Sequence, residues 1–141
     1  MLPLAGMAGL AAHAQEASAV SAYVDSSYLF LIGGLIVMFM AAGFLCLESG
    51  LVRSKNASMQ SLKNIALFSI AGLMFWLVGY NMAYPSSTIL GGLVGVPNFI
   101  WVGEESLDTG YAASSDWFFQ MVFVATAASI VSGTVAERVK L

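Results

Sequence analysis

The sequence predicts an all-α membrane protein with three transmembrane helices, and two observations support this prediction. Apolar residues make up 59% of the chain and charged residues only 9%, with a mean hydropathy of +0.84. A soluble domain carries about 25% charged residues, so this chain has too few to cover a water-facing surface. The second observation is that the apolar residues are gathered into long runs, each near the roughly 20 residues that a spanning helix needs.

The three longest apolar runs are each predicted to cross the membrane once. These predicted spans are Tyr28–Val52, Ile65–Tyr84 and Trp117–Val135. Backbone polar groups find no partners in lipid, and this forces a continuous apolar run of such length into a helix. The runs are too long for barrel strands and lack the alternation of polar and apolar residues that such strands show.

The charged residues predict the orientation of these spans. All cations lie in two short clusters: Arg53, Lys55 and Lys63, then Arg138 and Lys140. Six acids lie at the opposite ends of the spans: Glu16, Asp25, Glu104, Glu105, Asp108 and Asp116. Cytoplasmic loops carry an excess of Lys and Arg, so we expect the N-terminus outside and the Leu141 end in the cytoplasm. A bacterial inner membrane fits this topology.

The N-terminal stretch Met1–Ala14 is predicted to be a secretory signal peptide or its remnant. It is apolar and rich in small residues, and Ala12-His13-Ala14 fits the pattern of a signal peptidase site. A run of this length is too short to span the membrane as a helix. The basic segment that usually begins a signal peptide is missing, so two alternatives remain, an upstream start and a plain hydrophobic tail.

Several function classes are disfavoured by what the sequence lacks. It has one cysteine, Cys46, and one histidine, His13, which leaves no metal-ligand spacing. No nucleophile–base pair or phosphate-binding loop is present, so we expect no enzyme activity and no cofactor. The five cations form no patch large enough to neutralise nucleic-acid phosphates, so we expect no nucleic-acid partner.

The third span carries two patterns at helical spacing. Phe119, Phe123, Thr126 and Ile130 share one face of the predicted helix. The rings on this face could line a pore, although the pattern alone favours a position in lipid or in the core. Small residues at Ala125, Ser129 and Gly133 follow a neighbouring face and predict close helix packing. Gln120 needs a hydrogen-bond partner or a position near the interface.

Glu48 lies near the inner end of the first span. An acid at the bilayer centre costs roughly 2.5–3.5 kcal/mol on insertion scales and less towards the ends. We therefore expect its side chain to face protein or an aqueous cavity. Two interpretations remain: Glu48 lines an inner vestibule, or it pairs with a cation of the cytoplasmic loop in a structural role, which the sequence favours.

Two longer strings carry a family resemblance. GFLCLESGLVRSKN (Gly43–Asn56) and DWFFQMVFVATAASIVSGTVAERVKL (Asp116–Leu141) resemble segments of the ammonium transporter, methylammonium permease and Rhesus family. The resemblance covers about Tyr23–Leu141, which corresponds to the first three of the family's eleven spans. Residues 15–141 would then form the N-terminal part of an ammonium transporter domain.

This resemblance implies a function and a set of site residues. Members form homotrimers in the lipid bilayer, and each protomer conducts ammonium or methylammonium through a narrow hydrophobic pore. Aromatic rings in an outer vestibule attract the cation, and stacked phenylalanines close the pore below. By motif, Phe119 resembles the vestibule aromatic and Phe123 a gate phenylalanine, with Gln120 between them.

The inner part of the pore is matched less completely. Ile130 resembles a pore-lining residue, and Leu47 and Glu48 match positions near the inner mouth. The family's twin histidines and second gate phenylalanine belong to later spans. A cytoplasmic regulatory protein is a candidate partner. Two alternative functions remain open, an ammonium sensor fused to a signalling domain and a non-transporting three-span membrane protein.

Overall fold

The computed structural model describes residues 4–84, 88–89, 94–95, 103, 105–136 and 138. Its main helices are α1 (Leu4–Leu51), α2 (Ala57–Met74), α3 (Tyr80–Ala83) and α4 (Ala113–Thr134). A 3₁₀ turn at Ser54–Asn56 leads into α2, a π-helical turn at Phe75–Gly79 joins α2 to α3, and a 3₁₀ turn at Leu107–Thr109 precedes α4. These elements form three helical rods. The first rod is α1, the second runs from Ser54 to Ala83, and the third is α4.

Three helices are long and apolar enough to cross a membrane, which confirms the predicted number of spans. They cover His13–Leu51, Ser54–Ala83 and Ala113–Thr134. The third agrees with its predicted bounds to within a few residues. The second begins earlier than predicted, because the polar residues that precede the apolar run are helical as well.

The first helix is longer than its predicted span. Helix α1 has 48 residues, which corresponds to about 70 Å, more than twice the thickness of a bilayer core. No proline lies between Pro3 and Pro85, and the alanine-rich segment ahead of Tyr28 favours a helix, so nothing in the sequence ends it sooner. The signal-peptide prediction for residues 1–14 is not tested by this helix and stays a prediction.

Two short strands lie in the segment between α3 and α4. Strand β1 (Thr88–Ile89) pairs antiparallel with β2 (Val94–Gly95), so that Thr88 faces Gly95 and Ile89 faces Val94. Each strand has only two residues, and both lie outside the three helices that are long and apolar enough to cross a membrane. The predicted all-α class therefore holds for the spanning helices.

Helix α4 is the centre of the bundle and packs against both α1 and α2. Its Met121 and Val122 form the core together with Phe75 and Tyr80 from the second rod. Ala125 is fully buried, and Ser129 nearly so, as the predicted small-residue face requires. The small side chains on this face let the neighbouring backbones come close.

A glycine pair in α1 permits the close approach of α4. A Cβ atom on Gly34 would lie 2.7 Å from two ring carbons of Phe118, and one on Gly33 would lie 3.0 Å from the ring of Phe119. Any side chain at Gly34 would therefore displace a ring that belongs to the packed interface.

We predict that Gly34→Ala destabilises the protein. The added methyl group must push Phe118 or the whole of α4 away, and overpacking of this kind costs about 1–3 kcal/mol. Gly43→Ala is the matched control on the same helix, because no atom lies within 4 Å of its Cβ position. Unfolding of the purified protein by denaturing detergent measures both. Equal stability of the two variants would contradict this account of the interface.

Candidate functional site

A row of aromatic rings lies near the N-terminal end of α4. The ring of Phe30 contacts that of Tyr111 at 5.2 Å between centroids and that of Phe119 at 5.5 Å. Phe119 in turn meets Phe123 edge to face at 5.0 Å. Edge-to-face geometry is the favoured arrangement of aromatic pairs, so the row is a stable feature of this end of the bundle.

The structure brings Phe119 and Phe123 together, as their spacing predicts. The other two residues of this face, Thr126 and Ile130, differ in exposure. Phe123 is 44% exposed and Ile130 is 50% exposed. Thr126 is buried instead, and its hydroxyl donates to the carbonyl oxygen of Val122 at 2.9 Å. The ring of Phe123 therefore lies on an open flank of α4, where it can meet another side chain or a ligand.

Gln120 has a direct hydrogen-bond partner. Its Nε2 donates to the hydroxyl oxygen of Tyr84 at 3.0 Å, and the rings of Tyr84 and Tyr80 are 5.1 Å apart. The hydroxyl of Tyr80 donates to Oδ2 of Asp116 at 3.1 Å. Two residues of α4, one turn apart, are thus tied to tyrosines at the end of the second rod.

The π-helical turn at Phe75–Gly79 directs Tyr80 towards α4. Such turns insert an extra residue into a helical turn and often accompany functional sites. Gly79 makes room for it, because a Cβ there would lie 2.5 Å from the ring of Phe75. The Phe75 ring stacks on Trp117 at 6.5 Å and meets Tyr80 edge to face at 5.9 Å.

The sequence placed Asp116 among the acids at the outer ends of the spans, and it assigned no role to Tyr80. The structure shows both side chains buried, with Asp116 only 3% exposed. The available signal was the position of Asp116, three and four residues before Phe119 and Gln120, which puts the three side chains on one side of a helix.

A second set of hydrogen bonds closes the same end of the bundle by joining the segment before α4 to α1. Glu105 accepts from the hydroxyl of Tyr23 at 2.9 Å and from the backbone N–H of Ser114 at 3.2 Å. The backbone N–H of Ala112 donates to Ser27 Oγ at 2.7 Å. The segment before α4 is thereby fastened to α1.

Glu105 is expected to make this closure depend on pH. Desolvation acts to raise the pKa of its carboxyl, but the hydrogen bonds from Ser114 and Tyr23 together lower the pKa below its ordinary value. A carboxyl whose pKa is lower in the folded state stabilises that state above the unfolded-state pKa. This contribution is lost as the pH falls through the folded-state value.

The other end of the bundle contains a buried carboxylate cluster. Oε2 of Glu48 on α1 accepts hydrogen bonds from the side-chain amides of Gln60 and Asn64 on α2, the latter at 2.8 Å. Lys63 Nζ lies 3.8 Å from the same oxygen, and Ser132 Oγ lies 3.5 Å from it. Glu48 is 3% exposed, so this cluster lies inside the protein.

Lys63 also ties the cluster to the end of α4, since its Nζ donates to the carbonyl oxygen of Ser132 at 3.3 Å. Gly133 is needed beside it, because a Cβ there would lie 3.0 Å from Oε1 of Glu48. Glu48 therefore has a cation beside it, as the structural interpretation expects, but this cation belongs to α2 and not to a loop. Sequence reasoning missed Gln60 and Ser132, whose polar side chains reach one carboxylate from different helices.

Leu47 and Ile130, predicted with Glu48 to line a pore, do not join this cluster. Leu47 is 55% exposed, on a different side of α1 from Glu48. The predicted pore residues are therefore separated into an aromatic group at one end, Glu48 and the exposed Leu47 at the other, and the exposed Ile130 between them.

Acidification is predicted to weaken the closure made by Glu105. The melting temperature should fall between about pH 7 and about pH 3, because the carboxyl is protonated and accepts hydrogen bonds less well. Glu105→Gln should show a smaller fall over the same range. Asp108→Asn, a matched change at an exposed acid of the same segment, should behave as the unaltered protein does. Identical pH profiles for all three proteins would contradict the prediction.

Replacing Glu48 with leucine is predicted to destabilise the protein by about 3–5 kcal/mol, because Lys63 and two amides lose their buried partner. Glu16→Leu is the control, since it makes the same change at an exposed position of α1. Unfolding in denaturing detergent measures both, together with Lys63→Met and the double variant. If the two changes simply add, Glu48 and Lys63 do not act as a pair.

Comparison with known proteins identifies the family. The model described as the Ammonium Transporter Family matches residues 28–141. Similar curated proteins include ammonium transporter Amt2 of Archaeoglobus fulgidus, 42% identical over 78% of this chain and 22% of that protein. Ammonium transporter Amt1 of Haloferax mediterranei is 39% identical over 77% of this chain and 20% of that protein.

A more distant relative is ammonium transporter 3 of Dictyostelium discoideum, 35% identical over 84% of this chain and 26% of that protein. The chain thus spans only about a fifth to a quarter of the length of the curated relatives it matches. No solved structure matches it. The match over residues 28–141 includes the second half of the first spanning helix, the whole of the other two and both quoted strings, and it shows that the chain belongs to the ammonium transporter family.

Proposed function

We propose that this chain forms the N-terminal part of an ammonium transporter, in which ammonium or ammonia passes through a hydrophobic pore closed by a phenylalanine gate. The observation that supports this proposal is the aromatic row ending in Phe119 and Phe123. It occurs in a member of a family whose named relatives are ammonium transporters. Covalent chemistry is not part of the proposal.

The two rings suit two steps of such a transport cycle. A small cation is attracted to the face of an aromatic ring by about 0.5–2 kcal/mol, more when water is excluded. Phe119 is half-buried against Phe30 and Gly33, which keeps its ring in a defined position. Phe123 is more exposed, so it can stack against a second ring contributed from elsewhere.

The remaining predicted pore residues fit lower positions. Ile130 is exposed on the same side of α4 and provides an apolar surface for a dry channel. Leu47 presents an apolar side chain near the opposite end of the bundle. Glu48 is tied into the structural cluster, so we assign it the role of holding the inner mouth rather than of binding substrate.

We also propose the orientation and location of the chain. Lys63 contacts the C-terminal end of α4, so the loop cations and Arg138 gather at one end of the bundle. By the positive-inside rule this end faces the cytoplasm and the aromatic row faces outwards. The bacterial inner membrane remains the proposed location.

Three further proposals concern processing and assembly. Residues 1–14 are proposed to be removed as a signal peptide. The complete protein is proposed to form a homotrimer, and large apolar side chains on α1 such as Ile36 and Phe39, 65% and 77% exposed, are available for contacts with lipid or other protein surfaces. A cytoplasmic regulatory protein would bind at the cationic end.

Uptake of labelled methylammonium by cells that express the complete protein tests the function. We expect uptake above that of cells carrying the empty vector, and Phe119→Leu should raise the half-saturating concentration by about 2- to 30-fold, since it removes the ring and keeps an apolar side chain. Val124→Ala, at an exposed position of the same helix, should leave it unchanged. Uptake no greater than in the empty-vector cells would refute the proposed transport.

A further inference from the structure

Asp116 is a buried carboxylate, and the described part of the chain shows no cation paired with it. Its side chain is 3% exposed, and it accepts a hydrogen bond from the hydroxyl of Tyr80 at 3.1 Å. An isolated buried charge is costly, and proteins normally compensate it with an opposite charge. The group that compensates the charge of Asp116 therefore matters for function as well as for stability.

The cations that the structure describes lie at the other end of the bundle. Lys63 contacts Ser132, which is about 24 Å along α4 from Asp116. Arg53 and Lys55 precede Lys63 in the same rod, and Arg138 follows the end of α4. The ion pairs seen in the described part of the chain, His13–Glu16 and Lys63–Glu48, do not involve Asp116.

The position of Asp116 relative to the aromatic row is set by the helix. Residues three and four apart on a helix have Cβ atoms about 5–6 Å apart, so Asp116 is a direct neighbour of Phe119 and Gln120. Gln120 and Asp116 are both held by tyrosines of the second rod, through Tyr84 and Tyr80 respectively. The carboxylate is thus held rigidly within one helical turn of the ring proposed to meet the substrate.

From this geometry we propose that Asp116 supplies the fixed negative charge that draws the substrate cation to the rings of Phe119 and Phe123. This inference rests on the proposed transport function and adds a specificity-determining residue to it. A charge in surroundings of low polarity acts over several ångströms with little screening, so Asp116 need not touch the substrate. A small monovalent cation at these rings then supplies the opposite charge that none of the described residues places beside Asp116.

Asp116 and Tyr80 can be separated experimentally. Asp116→Asn removes the charge but retains an oxygen that can accept the hydrogen bond from Tyr80. Tyr80→Phe removes the hydrogen bond and retains the charge. A purely structural role would make Tyr80→Phe at least as damaging as Asp116→Asn, whereas an electrostatic role makes the loss of substrate affinity larger in Asp116→Asn.

The test is methylammonium uptake by the complete protein over a range of concentrations, with folding of each variant checked by size-exclusion chromatography in detergent. We expect Asp116→Asn to raise the half-saturating concentration about tenfold with little change in maximal rate. Tyr80→Phe keeps the charge and loses a contact that positions it, so it should raise that concentration by a smaller factor, about two- to threefold. If Asp116→Asn does not fold, Asp116→Ser takes its place, since it is also neutral and small.

The outcomes separate this inference from the proposed function. No uptake by the unaltered protein refutes transport itself. Normal uptake with an unchanged half-saturating concentration in Asp116→Asn refutes only the role of the charge. Equal effects of Asp116→Asn and Tyr80→Phe also refute it, because they would show that the hydrogen bond, and not the charge, matters. A selective effect of Asp116→Asn supports it.

Discussion

The arrangement of the three rods depends on one buried carboxylate. Glu48 of α1 is reached by two amides and an ammonium group from the second rod and lies against Ser132 and Gly133 of α4. Apolar surfaces alone give little direction to helix association in lipid, since the lipid tails are as apolar as the side chains. A charge that requires several particular donors restricts both the rotation and the axial position of each helix.

The two ends of the bundle use polar groups in different ways. At the cationic end, Glu48 has a counter-charge in Lys63, so its charge is compensated within the protein. At the aromatic end, Asp116 has a tyrosine hydroxyl but no described cation. The first arrangement suits a structural contact. The second leaves a net negative charge beside a row of rings, which suits the attraction of a small cation from outside.

Much of the fold could be predicted from the sequence, because membrane helices are specified by simple quantities. The hydropathy of each run gave the three spans, and the small side chains at Ala125 and Ser129 marked the packed face of α4. The length of α1 could not be obtained in this way, because a helix that continues out of the bilayer carries no hydropathy signal. The early start of the second rod was not predicted, because polar residues such as Gln60 and Asn64 are typical of loops. Their place in a helix is explained by their shared partner, Glu48.

The candidate site was predicted less completely than the fold. The motif predicted that Phe119 and Phe123 lie side by side. Their spacing alone supports this, because residues four apart on one helix are neighbours. Asp116 and Tyr80 meet across two helices, and their contact depends on the π-helical turn that Gly79 permits. Neither the turn nor the direction in which it sends Tyr80 follows from the local pattern. Contacts between helices are set by the tertiary structure, so sequence spacing alone does not identify them.

Helix α4 is held at both ends by these contacts between helices. Asp116 and Gln120 are bonded to tyrosines at one end, and Ser132 and Gly133 contact Glu48 and Lys63 at the other. At the end that contains Asp116, Gly33 and Gly34 allow the rings of Phe118 and Phe119 to lie against α1 without intervening side chains. A helix fixed in this way cannot rotate without breaking buried hydrogen bonds. The side chain of Phe123 can therefore rotate while its backbone stays fixed. This combination suits the proposed gate, which must open locally while the helix that carries it stays in place.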